Sequence, residues 1–224
     1  MSEREALEAL FRADRELRAL EARLLSTPEA RLVALLTDAV REARALDDRR
    51  EAAMRLERLA DLCAQVPGPE MADALVEILD DEDPSVRGAA ADALLDVASE
   101  RWAEVARAIE RRLEADRPGP ALEELPYLIA EIAPDGATRL LRRFLAHPDG
   151  EVVASALEAC GELGDPGLLD AVERLRGDAR TVRLLEGIDA DAHDGTPATV
   201  GELAAEVIDA LRPRAGVGRH NPTR

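Results

Sequence analysis

Few residues in this 224-residue chain have the types and spacing that chemistry needs. The histidines, His147, His193 and His220, stand at no helical spacing from Cys, Asp or Glu that would build a zinc site. Asp189-x-Asp191-x-His193-Asp194-Gly195 opens like a calcium loop. Its sixth position should be Gly and is Asp194, its twelfth should be Glu and is Val200, and an acidic solvated loop is the better reading. Ser155 lies among small residues (ASAL) with no Gly-x-Ser-x-Gly around it, which reads as helix packing. Gly161, Gly164 and Gly167 follow a helical pattern rather than a strand, which excludes a dinucleotide fingerprint. Every Lys/Arg position is Arg. Without Lys there is no Schiff-base chemistry, no pyridoxal attachment and no phosphate-loop Lys. The expectation is a non-enzyme with no catalytic residue, no metal and no cofactor.

The elements that position side chains follow from composition. Hydrophobic residues make up 46 % of the chain, enough for a core, yet aromatics make up 2 %: Phe11, Trp102, Tyr127 and Phe144. The core must therefore be Leu, Ala and Val, which with Glu and Arg favour helix, while strand-favouring residues are scarce. An all-α protein follows. The net charge of −18 repels phosphate backbones and anionic membranes, so neither nucleic acid nor membrane is an expected partner. Cys63 (LADLCAQV) and Cys160 (ALEACGEL) fall in apolar helical patterns as small buried hydrophobes, which fits a reducing cytoplasm. The charged N-terminus predicts no signal peptide, and no apolar run reaches membrane-spanning length.

An internal repeat sets the architecture. DPSVRGAAADALLDVA from Asp83 aligns without gaps to DGEVVASALEACGELG from Asp149, at an offset of 66, twice 33. A unit near 33 residues is one helical hairpin. Val66, Val97, Ile132 and Leu163 each precede a turn, at spacings of 31, 35 and 31, and EMADALVEIL, AEVARAIERRL, ATRLLRRFL and LLDAVERL follow as second helices. Four hairpins result, roughly 49–80, 83–116, 118–146 and 149–177. Each has an apolar stripe that only stacking on a neighbour can bury. Ala89, Ala90, Ala93, Ala156 and Ala159 allow close approach of first helices. Cys160 aligns with Leu94, which favours a buried thiol over a pairing with His147.

The pattern resembles the bacterial HEAT-like repeats of the phycobilisome-lyase type, D-x-x-V-R-x-x-A-x-x-A-L-G-x-L-G-D. Asp83, Val86, Arg87, Ala90, Ala93 and Leu94 match in one copy. Asp149, Val152, Ala156, Ala159, Gly161, Leu163, Gly164 and Asp165 match in the other. Val153 stands where that pattern has Arg. The resemblance covers 49–177 and implies an α-solenoid, a HEAT-like superhelix of stacked hairpins. It says almost nothing of function, since such repeats serve many roles. The deoxyhypusine hydroxylases, HEAT-repeat enzymes that bind iron through paired His-Glu motifs, are excluded because no His-Glu dipeptide occurs.

Residues 1–48 read as an N-terminal capping hairpin. Leu10, Ala13, Leu17, Leu20 and Leu24 form an a/d seam, Glu8–Arg12 and Asp14–Arg18 are favourable helical pairs, and Ser26 with Glu29 suggests a capping box. The seam either seals the first repeat or joins two copies. Residues 178–198 form an irregular acidic insertion, and TVRLLE and TPATV can pair as a small hairpin around its Asp-rich turn. Residues 199–212 are a C-terminal capping helix whose Thr199 and Glu202 make a capping box. Residues 213–224 are a basic tail expected to be disordered.

The one local charge feature is Arg107, Arg111, Arg139, Arg142, Arg143 and Arg174, all on second helices of an acidic chain. Intramolecular pairing with Glu104, Glu110, Glu114, Asp170 and Glu173 is the plainer reading, and a groove for an acidic peptide is the functional one. The function expected is a non-catalytic protein–protein interaction scaffold. It would be cytoplasmic and bacterial, with an unidentified protein partner, and a monomer or weak dimer through the N-terminal helix. The alternatives are a chromophore-handling, lyase-like protein and an acidic nucleic-acid mimic or inhibitor.

Overall fold

In the computed structural model, residues 2–115, 117–133, 135–184 and 196–212 are described. The loop Asp189–Gly195, the histidines at 193 and 220, and the tail lie outside them. Among the described residues the chain is all-α apart from one short hairpin, and its helices stack as helical hairpins. The chain divides into two compact units, Met1–Ala108 and Ile109–Arg224.

The first unit contains α1 (Glu3–Leu25), α2 (Glu29–Arg44), α3 (Arg49–Ala64), α4 (Pro69–Leu79) and α5 (Pro84–Glu114) as far as Ala108. α2 buries Leu32, Leu36, Val40 and Ala43, the one-turn spacing of an amphipathic helix, against the α3–α4 hairpin. Pro69 opens α4 after Gly68, whose φ of 125° accommodates the reversal. α5 is broken at Arg101 (φ −130°, ψ 41°), which divides it into two limbs. Arg101 donates to the carbonyls of Ala64 (2.7 Å) and Val66 (3.0 Å), satisfying groups that the end of α3 leaves open. Glu104 accepts from Gly68 N–H (3.2 Å), so one turn of α5 clamps the preceding reversal at both ends.

α1 stands apart from this packing, since none of its residues is buried. Ser26 does not cap α2. It ends α1, its hydroxyl donating to the Arg23 carbonyl (2.7 Å), and Pro28 takes the N-cap of α2. Pro28 presets an extended entry into α2, and Ser26 stands two residues ahead of that N-cap.

The second unit contains α5 from Ile109, then α6 (Ala121–Ile132), α7 (Ala137–Leu145) and α8 (Gly150–Leu163). A 3₁₀ turn (Pro166–Leu168) leads into α9 (Leu169–Glu173), followed by β1 (Thr181–Leu184), β2 (Thr196–Thr199) and α10 (Val200–Leu211). α8 packs against α6, α7 and α10, burying Val152, Val153, Ala156, Leu157, Ala159 and Cys160. Ala156 and Ala159 carry little side chain, which permits that close approach. Gly164 ends α8 in the left-handed conformation (φ 65°) that an L side chain disfavours. β1 and β2 pair antiparallel with Thr181 opposite Thr199 and Leu184 opposite Thr196. The Thr199–Glu202 capping box forms at the head of α10. Its Val200, Ala204, Val207 and Leu211 are all buried.

Candidate interaction surface

α7 shows why the arginines stand where they do. Ala137, Leu140, Leu141, Phe144 and Leu145 are buried, at i, i+3, i+4, i+7 and i+8. Arg139, Arg142 and Arg143 therefore fall on the opposite face. Arg139 meets Glu110 of α5 at 2.5 Å, and one turn on Arg143 meets Glu114 at 3.4 Å. The matched four-residue spacings make a two-rung ladder between α5 and α7. On the other side Arg142 grips Asp170 of α9 at 2.5 Å and the Gly167 carbonyl at 2.5 Å, and Arg174 reaches Asp170 at 3.4 Å. The Arg142 hydrogen bond holds the Asp170 carboxyl below the ordinary carboxylate range. Arg212 is within 3.5 Å of Glu173, and Arg101 within 3.5 Å of Glu104. Arg107 and Arg111 are exposed on α5. Arg139, Arg142, Arg143 and Arg174 are thus brought into ion pairs with α5 and α9.

The residues weighed for catalysis sit in structural roles. Cys63 and Cys160 are free thiols and fully buried, and burial pushes both pKa values up to about 12. His147 Nδ1 accepts from Asp149 N–H (3.1 Å), and the Ser155 hydroxyl donates to the Glu151 carbonyl (3.2 Å) inside its own helix. Tyr127 donates to Glu158 (2.5 Å), and burial is the main cause of its raised pKa. Asp165 accepts from the Thr138 hydroxyl and from Gly167 N–H (2.8 Å), which lowers its pKa. Among the described residues no group of three or more His, Cys, Asp or Glu could hold a metal ion. None of the described helices is long and apolar enough to cross a membrane.

The feature that a pattern of buried residues does not show is apolar and lies at the head of the first unit. The exposed large hydrophobic side chains of the described chain are Leu7, Leu10, Phe11, Leu17 and Leu20 of α1, Leu35 of α2 and Met54 of α3. Leu17, Ala39, Met54, Leu59 and Leu62 line an open hollow of about 510 Å³ between these helices. Arg58 of α3 forms an ion pair with Glu21 of α1 across it. The a/d spacing of α1 marks the seam in the sequence. Nothing in the sequence marks the seam as uncovered.

These features define the class: an α-helical repeat protein. No protein-family profile matches the chain, and no curated protein matches its sequence. Solved structures with a similar trace include an engineered protein (18 % identity, TM-score 0.36, covering 85 % of this chain and 87 % of that one). A designed armadillo repeat protein in complex with the peptide (KR)4 is another (17 %, TM-score 0.36, 89 % and 94 %). Human deoxyhypusine hydroxylase in complex with glycerol is a third (17 %, TM-score 0.29, 91 % and 98 %). At these identities and TM-scores the likenesses carry no inference about what this chain binds.

Proposed function

We propose that this helical-repeat chain is a non-catalytic protein-interaction module. The observation that carries the proposal is the gathering of exposed Leu, Phe and Met side chains on α1–α3 beside an open apolar hollow. Apolar side chains in contiguous patches cost free energy in water and mark interaction surfaces, whereas isolated ones do not. Two buried free thiols suit the reducing cytoplasm that we propose as its compartment.

Under this reading Arg139, Arg142, Arg143 and Arg174 act within the fold, and the carboxylate distances support that role over an acidic-peptide groove. The resemblance to lyase-type repeats extends to the hairpin pattern and not to a chromophore pocket. Phe144 is fully buried in the second unit, Tyr127 is held by Glu158, and Phe11 is out on α1. An acidic mimic would need unbroken rows of carboxylates, and arginines interrupt them throughout.

The test is capture by tagged wild-type chain and by a Leu17→Glu/Met54→Glu variant, with cross-linking and mass spectrometry. The expected result is one or more proteins held by the wild type and lost with the variant. Identical capture by both would refute the assignment of this surface.

A further inference from the structure

We infer that the occupant of the exposed α1 seam is α1 of a second copy of this chain, packed antiparallel. This rests on the interaction-module reading above and names the partner. Residues 2–20 are all exposed, and Leu7, Leu10, Phe11, Leu17 and Leu20 keep 45–64 % of their surface in water. Leu10, Ala13, Leu17, Leu20 and Leu24 recur at the three- and four-residue steps of a two-helix seam. A 23-residue helix carrying such a stripe is about 35 Å long, and from Leu7 to Leu20 its own unit leaves the stripe exposed.

The charges on α1 select a second copy. The chain as a whole is at −18, and a surface of that sign repels its own kind. α1 does not carry that excess of acid. Arg4, Arg12, Arg15, Arg18 and Arg23 stand against Glu3, Glu5, Glu8, Asp14, Glu16 and Glu21, a net of −1. A helix this nearly balanced approaches its copy without net repulsion. The rest of the acidic body is screened beyond a Debye length of about 8–10 Å.

The charge order also selects a register. With Leu10, Leu17 and Leu24 as a and Ala13 and Leu20 as d, the flanking positions are Glu16 and Arg23 on one side and Asp14 and Glu21 on the other. Full antiparallel overlap, with Leu10 opposite Leu20 of the second copy, sets Glu16 against Glu16 and Asp14 against Asp14. Sliding one heptad brings Leu17 opposite Leu20 of the second copy, and Leu24 opposite Ala13. Each layer occurs twice about the two-fold axis. Glu16 then meets Arg23 of the second copy, also twice. The remaining flank sets Asp14 near Glu21 of the second copy. Both are already neutralised within their own chain, Asp14 by Arg18 at 3.0 Å and Glu21 by Arg58. The heptad-shifted register is therefore the one in which every flanking charge has a partner. The chain turn at 26–28 lies just past the overlap. There the outer apolar residues Leu7, Leu10 and Phe11 run on toward the body of the second copy.

The experiment is sedimentation equilibrium on the full chain over a range of concentrations, with circular dichroism to confirm that each variant is folded. The wild type is expected to sediment as a dimer at tens of micromolar. Leu17→Glu and Leu20→Glu each place two carboxylates in the seam, and each should raise the dimer dissociation constant by roughly a hundredfold or more. The charge cycle tests the register and does not depend on disruption. Glu16→Arg and Arg23→Glu singly should weaken the dimer about tenfold, and the double exchange should restore it to within about threefold. A wild type that stays monomeric at about 100 μM overturns the proposal. So does a double exchange as weak as the two single changes combined. A monomer that still captures another protein through Leu17 overturns self-pairing and leaves the interaction-module reading standing. Loss of that capture as well overturns both.

Discussion

Arg180 and Asp178, two residues apart, lie side by side with guanidinium and carboxylate 2.6 Å apart, and the same guanidinium donates to the carbonyls of His147 (2.9 Å) and Pro148 (2.8 Å). One Arg thus ties the entry of β1 to the turn that precedes α8. The Arg180 hydrogen bond holds the Asp178 carboxyl below the ordinary carboxylate range. A carboxyl depressed in the folded state stabilises fully above its unfolded pKa of about 3.9 and loses that contribution as pH falls through the folded value. Thermal melts of wild type and Asp178→Asn should therefore differ by a constant amount from about pH 7 to pH 5 and converge below about pH 4. A difference that widens on acidification would refute this role for the pair.

Gly201 is fixed by close approach. A Cβ there would lie 2.7 Å from the Arg176 carbonyl oxygen and 3.0 Å from that of Asp178, and both are backbone. Its own N–H donates to the Asp178 carbonyl at 3.0 Å, so α10 cannot withdraw without losing that bond. Gly201→Ala should destabilise the chain by about 1–3 kcal/mol in denaturant melts, the range for overpacking. Gly88, with open space around it, should accept Ala without loss.

Leu94 is fully buried in the first limb of α5. Leu94→Ala should cost about 2–5 kcal/mol, transfer term and cavity together. Urea titration reads it directly, and a loss under about half a kcal/mol would place the repeat register in error.

The arginine ladder should matter little to stability. Each of the pairs made by Arg139, Arg142 and Arg143 keeps at least one side chain more than half exposed, and pairs of this kind contribute about 0.2–1 kcal/mol each. The triple change to Ala should lower the melting temperature by a few degrees in low salt, by about half that in molar salt, and leave protein capture unchanged. Loss of salt-sensitive capture with an unchanged melting temperature would instead assign these arginines to a partner.

Both thiols should resist alkylation. At pH 8 a thiol with its pKa near 12 is ionised in roughly one molecule in ten thousand, and neither sulfur is exposed. Iodoacetamide should label neither Cys63 nor Cys160 until denaturant is added, as intact mass would show. Labelling at the unfolded rate under native conditions would place them outside the core.

The sequence by itself determined whatever local rules decide. Leu and Ala at helical spacing set the all-α class, Gly and Pro set the reversals, and Thr199 with Glu202 set the head of α10. Each depends on residues within about one turn of each other, so the linear order carries the information. The β1–β2 pairing was legible too, because β-branched residues flank a turn-rich stretch. The tertiary structure decided what depends on distant parts of the chain. Arg101 caps carbonyls 35 and 37 residues away, and Arg139 meets Glu110 across 29 residues. It also decided that the leucines of α1 are left in water while the similar stripe of α2 is buried. A period reports only that an apolar face exists. Whether a neighbour covers the face is set by how far a connecting turn lets the helix swing back onto the stack. Beyond the turn at 26–28 the α1 residues from Leu7 to Leu20 stay exposed.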